Sequence, residues 1–61
     1  ALTQREKQIL NSVNARLMNY QIAQRLGLSE RTVETHRANA YKKVGVKDLQ
    51  QLKEFLSHVD I

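Results

Sequence analysis

Apolar residues recur three and four apart in four separate stretches of this chain, and residues that start or stop helices bracket each stretch. Thr3 with Glu6 has the spacing of a capping box, in which hydroxyl and carboxylate each take a free amide of the first turn. Ile9, Leu10 and Val13 share the following face, with Leu2 before the cap, so a first helix of about three turns should run to about Ala15. Arg16-Leu17-Met18 is a short connection, and Asn19 is the expected N-cap of the next element. The second helix, Tyr20 to Leu26, places Ile22, Ala23 and Leu26 on one side, with Ala23 small where two helices would approach closely. Leu26 is expected in the core, against Val33 and the first helix.

Gly27 ends the second helix, Leu28 is an apolar anchor, and Ser29 caps a third helix spanning about 30–44, which Gly45 closes. On a helical wheel Val33, Arg37, Ala40 and Val44 line one side, with Tyr41 at its edge. The other side carries Arg31, Thr35, Ala38, Asn39 and Lys42, flanked by Glu34, and holds no large apolar residue. The link Gly27-Leu28-Ser29 is so short that the two helices should meet at a wide angle, as in a helix-turn-helix. Asp48 and Gln51 repeat the capping-box spacing ahead of Leu49, Leu52, Phe55, Leu56 and Val59, a stripe wide enough to cover a neighbour and also meet a partner. Proline is absent and no strand-like alternation occurs. The expected fold is all-α, four short helices in a bundle-like helix-turn-helix domain without a wing.

Composition narrows the function. A chain of 61 residues is one small domain, able to bury only about 60% of its unfolded surface. It contains no cysteine, so it has neither disulfides nor thiolate metal sites. No apolar run approaches the roughly 20 residues of a membrane span, which suits a cytoplasmic domain with no membrane partner. The formal charge of +4 is uneven. Arg31, Arg37, Lys42, Lys43 and Lys47 face Glu34 alone between residues 31 and 47, while the stretch from Asp48 onward is mildly acidic. Positive charge around one polar helix face suits a polyanion, and side chains that hydrogen-bond or make small apolar contacts suit a DNA major groove.

Other chemistries find little support. There is no Ser/His/Asp grouping, glycine-rich phosphate loop or His/Cys metal spacing, so no catalytic residue, metal ligand or cofactor is assigned. His36, beside the core side of the third helix, reads as a packing or capping residue, and His58, near a terminus, as solvated. The third helix lacks the bulky apolar side that membrane insertion requires. A protein-interaction or dimerisation module without specific DNA binding is the alternative that the fourth helix keeps open.

The fragments Leu2-Thr3-x-Arg5-Glu6, Ile9-Leu10, Asn19-x-x-Ile22-Ala23-x-x-Leu26, Ser29-x-x-Thr32-Val33-x-x-His36 and Lys43-Val44-Gly45-Val46, in this order and spacing, resemble the LuxR-type helix-turn-helix. This is also the LuxR/FixJ or NarL/FixJ output domain of bacterial transcription regulators, including response regulators of two-component systems. Thr32 to Asn39 looks most like the FixJ branch. The resemblance implies that the third helix recognises DNA, the second supports it across the groove, and the fourth forms a dimer contact. By position it implies phosphate contacts at Asn19, Ser29 and Thr32 and base-facing residues Glu34, Thr35 and Ala38; Tyr20 with its hydroxyl, and Arg31 and Lys42 on the outer face of the third helix, are expected to add DNA-backbone contacts. Leu49, Leu52, Leu56 and Val59 would meet a second copy, and residues 1–61 would be the C-terminal part of a regulator with an upstream regulatory domain, sensing or receiver. Three departures stand out: Arg16 replaces a usual glycine, Tyr20 a usual lysine, and Glu34 and Ala38 stand where many members have lysine. Glu34 could accept from a cytosine amino group, or pair with Arg31 or Arg37 three residues to either side.

Overall fold

The computed structural model describes residues 2–58 and contains four helices: α1 (Gln4–Asn14), α2 (Asn19–Leu26), α3 (Glu30–Val44) and α4 (Leu49–His58). Among the described residues there is no strand, as the unbroken helical periodicity requires. α3 is the longest helix and packs against both α1 and α2, while α4 lies on α1. The inner side of α3 therefore closes the core, and the described residues leave its outer side exposed.

Ile9, Leu10 and Val13 from α1, Ile22 and Ala23 from α2, Val33 and Ala40 from α3, and Leu52 from α4 form one buried cluster. Ala23 and Ala40 are its small members, and Ile9, Leu10, Ile22 and Leu52 are its largest fully buried side chains. Leu26 departs from expectation. It is only half-buried, packed against the edge of the cluster, because the inward positions of this eight-residue helix are already filled by Ile22 and Ala23.

The helix ends show why the boundaries fall where they do. Thr3 and Glu6 form the expected capping box: the Glu6 amide donates to Thr3 Oγ1 at 3.1 Å, and the Thr3 amide donates to Glu6 Oε1 at 2.9 Å. The same carboxylate also accepts from Lys43 Nζ at 2.9 Å, tying the start of α1 to the end of α3. The Thr3 amide first, then the Lys43 hydrogen bond and charge, hold the Glu6 carboxyl below its ordinary value even though desolvation pushes the other way. Asp48 takes the Gln51 amide as expected, but the Gln51 side chain accepts from Lys47 rather than from Asp48, so only half the box forms there.

Three helices stop by the same device. Arg16, Gly27 and Gly45 are all left-handed, with φ of 67°, 69° and 77°. In each case the next amide reaches back five residues, Leu17 to Ser12, Leu28 to Ala23 and Val46 to Tyr41, satisfying a carbonyl of the last turn. Glycine adopts this conformation freely, whereas an L-residue pays roughly 1–2 kcal/mol for it. Arg16 thus carries local strain in the α1–α2 turn, at the position where resemblance had suggested a glycine.

Candidate nucleic-acid interface

The link between α2 and α3, Gly27-Leu28-Ser29, turns the chain so that α3 projects its outer face into solvent. Ser29 caps α3 as expected: its Oγ accepts from the Thr32 amide at 3.1 Å and donates to Thr32 Oγ1 at 2.9 Å. The two hydroxyls that the resemblance assigned to phosphates are thereby locked together at the amino end of α3. The helix dipole there is positive and favours an anion.

Beyond the cap, Arg31, Glu34, Thr35, Ala38, Asn39 and Lys42 are all exposed and follow one another along the outer side of α3. Thr32 and Lys42 are ten residues apart, a rise of about 15 Å, comparable with the width of a B-DNA major groove of roughly 12 Å. Thr35 Oγ1 donates to the Arg31 carbonyl at 3.1 Å. Its proton is used within the helix, so Thr35 presents oxygen lone pairs and a methyl group outward. Ala38 offers a methyl group alone. Glu34 is a free acceptor: among the described residues it has no ion pair, and neither Arg31 nor Arg37 turns to it. The local-pairing explanation of Glu34 is not realised in this conformation, since Arg37 is engaged on the other side of the helix.

Asn19 is corrected. The N-cap position of α2 belongs to Met18, one residue earlier, and Asn19 is already helical. The Gln21 side chain accepts from the Met18 amide at 2.8 Å, which fixes the start without help from Asn19. Asn19 Oδ1 instead accepts from an Arg37 guanidinium nitrogen at 3.0 Å, bridging α2 and α3. Tyr20 beside it is half-exposed, with its hydroxyl available at the same end of α2.

Arg37 and Tyr41 carry a role that sequence reading missed. Arg37 falls on the core side of α3 by periodicity, yet it is only half-buried and donates to both Asn19 and the Tyr41 hydroxyl, the latter at 3.2 Å. Its guanidinium carbon lies 5.3 Å from the Tyr41 ring centroid, within cation–π range. An arginine inside an otherwise apolar stripe was the signal that a polar partner must exist across the helix pair.

Of the four residues assigned to a second copy, Leu49 and Leu56 are half-buried on α4. Leu52 is fully buried within one chain, anchoring α4 in the core, so it has no surface to offer a partner. Val59 lies outside the described residues. No group of three or more His, Cys, Asp or Glu that could hold a metal occurs among the described residues, and none of their helices is long and apolar enough to cross a membrane.

Residues 1–56 match the family described as "Bacterial regulatory proteins, luxR family". The chain is 49% identical over 51 residues to the transcriptional regulatory protein FixJ of Rhizobium meliloti, covering 84% of this chain and 25% of that protein. It is 48% identical over 50 residues to the CsgBAC operon transcriptional regulatory protein of Escherichia coli, covering 82% of this chain and 23% of that protein. The probable csgAB operon transcriptional regulatory protein of Salmonella typhimurium matches to the same extent, 48% over 50 residues. The chain spans about a quarter of the length of these curated relatives, from 23% to 25%. No solved structure matches it. An all-α core, a three-residue turn closed by Gly27, a capped helix with a bare polar outer face, and a family match across nearly the whole chain agree: this protein belongs to the luxR family of bacterial regulatory proteins, as a DNA-binding helix-turn-helix domain of transcription regulation.

Proposed function

We propose that α3 enters the major groove of double-stranded DNA and reads its sequence, with α2 braced across the backbone. The observation that carries this reading is the outer face of α3, exposed along its length, rich in hydrogen-bonding groups and free of large apolar residues. Asn19, Tyr20, Arg31, Thr32 and Lys42 hold phosphates with their side chains on the two sides of the groove, Ser29 with its backbone amide because its hydroxyl proton goes to Thr32, and these contacts position without specifying. Glu34, Thr35 and Ala38 face base edges. Glu34 accepts from a cytosine amino group, Ala38 meets a thymine methyl, and Thr35 either accepts from a base amino group or adds a second methyl contact.

The domain acts as the output module of a longer cytoplasmic regulator whose upstream domain controls it, without catalytic activity of its own. Two copies bind symmetric half-sites about one helical turn of DNA apart, or a multiple of it, through Leu49 and Leu56 of α4. Selection of bound sequences from random duplexes at fixed salt tests the whole reading, which predicts a defined site with inverted symmetry. Recovery of unrelated sequences would leave only non-specific binding. Across a panel of single-base variants of the selected site, Glu34→Gln should abolish preference at one base pair, worth roughly 1–3 kcal/mol of discrimination. A uniform change over every variant would remove Glu34 from the bases.

A further inference from the structure

Asn19 must meet two demands if it holds a phosphate: its carboxamide has to present hydrogens rather than oxygen, and it has to stay so oriented. A phosphate only accepts hydrogen bonds, so the wrong face of the carboxamide would repel it. Free in solution, an asparagine side chain turns either way. Here it does not have that freedom. Arg37 has donors and no acceptor, so the group 3.0 Å from its nitrogen must be the carboxamide oxygen, Oδ1. The amide nitrogen is thereby left to face elsewhere, and among the described residues neither of its hydrogens has a partner.

Arg37 is itself held. Its second terminal nitrogen donates to the Tyr41 hydroxyl, and its guanidinium lies within cation–π range of the Tyr41 ring, one turn further along α3. Ring, guanidinium and carboxamide thus form a chain that runs from α3 to the first turn of α2. Hydrogen bonds in such a chain polarise one another, and a cation on the carbonyl oxygen makes the amide hydrogens better donors. The same arrangement explains why α3 spends a charged residue on its core side.

We infer that Arg37, held by Tyr41, is a positioning residue that turns the Asn19 carboxamide to donate to a DNA phosphate, thereby coupling the seating of α3 to the backbone grip of α2. This rests on the reading of Asn19 as a phosphate contact. The fixed orientation removes a rotamer cost that Asn19 would otherwise pay on binding. The positive charge of Arg37 adds a weaker attraction of its own, and this part is independent of Asn19.

A double-mutant cycle separates the two contributions. Affinity of the 61-residue chain for a mixed-sequence duplex of about 20 base pairs is the readout, because phosphate contacts do not depend on sequence. Arg37→Met should weaken binding about tenfold in the presence of Asn19, but only about threefold in the Asn19→Ala background, where lost charge alone remains. Arg37→Lys, which keeps the charge and one donor for Oδ1, should recover most of the loss. Should Arg37→Met fail to melt cooperatively, Tyr41→Phe serves instead: it frees Arg37 and should cost about two- to threefold with Asn19 present and nothing without it. An equal loss in both backgrounds would overturn the inference while leaving Asn19 on the phosphate. Asn19→Ala binding as tightly as the unchanged chain would remove the phosphate contact and the inference together.

Discussion

The two faces of α3 differ by one position in sequence and by nearly everything in physics. Val33 and Ala40 are fully buried, and their neighbours Glu34 and Asn39 are exposed. The inner face is answerable to packing: a lost methylene leaves a cavity that the small core cannot close. The outer face is packed against none of the described residues. Its threonine satisfies its own helix, its glutamate has no ion pair, and its lysine at position 42 has no partner among the described residues. Residues that cost a fold little to change and that still form an ordered row of donors, acceptors and methyl groups are residues available to a ligand. On the proposed function, stability and recognition are separated by a rotation of about 100° about one helix axis.

Substitutions on the two sides should behave as different classes. The largest effect belongs to the core that α3 closes. Ile22→Ala, at a side chain with no exposure, should cost about 2–5 kcal/mol by thermal or urea melting. Leu26→Ala in the same helix should cost about half as much, because Leu26 is only half-buried and its loss opens a notch rather than a cavity. Equal costs at the two positions would show that burial does not grade this helix as the structure indicates.

A smaller effect, of opposite sign, is expected in the α1–α2 turn. Arg16→Gly relieves roughly 1–2 kcal/mol of left-handed strain and gives back about 0.5–1 kcal/mol in chain entropy. The net should be a stabilisation of about 0.5–1 kcal/mol in melting experiments. Since Arg16 lies beside Leu49, Gln50, Lys53 and Glu54 of α4 and is not among the proposed DNA contacts, duplex affinity at fixed salt should hardly move. A lower melting temperature would instead give the Arg16 side chain a stabilising contact that outweighs its backbone conformation.

The smallest effect on stability, within about 0.5 kcal/mol, is expected for Lys42→Ala. Its consequence should appear only with DNA: all sequences weaken about equally, and the slope of log affinity against log salt falls by about 1. An unchanged slope would take Lys42 out of the footprint.

Much of this division is visible in the residues themselves. The Thr3–Glu6 box, Gly27, Ser29 and Gly45 are local signals, each acting within one turn, and they place the ends of α1, α2 and α3 to within about a residue. Periodicity also separates Val33 and Ala40 from Glu34, Thr35 and Ala38, because which way a helical residue faces depends only on its place in the turn. What the chain does not announce is the contact between distant segments. Asn19 is a good N-cap by type, but Gln21 caps the Met18 amide and Arg37, 18 residues away, claims the Asn19 oxygen. The Thr3–Glu6 spacing announces a cap and no cation, and only the packing of α3 on α1 brings Lys43 to Glu6. Leu26 and Leu52 make the same point for burial. Both are leucines on an apolar stripe, and one is half-exposed while the other anchors α4, because depth depends on the neighbouring helix.

Backbone amide shifts on titration with a duplex carrying a selected half-site will show whether the outer face of α3 and the start of α2 meet DNA while α4 does not. The largest changes should fall on Asn19, Tyr20, Ser29, Thr32, Glu34, Thr35, Ala38, Asn39 and Lys42, with Gln50, Gln51 and Glu54 on the exposed side of α4 unmoved. Changes confined to α4, with the outer face of α3 silent, would contradict the proposed interface.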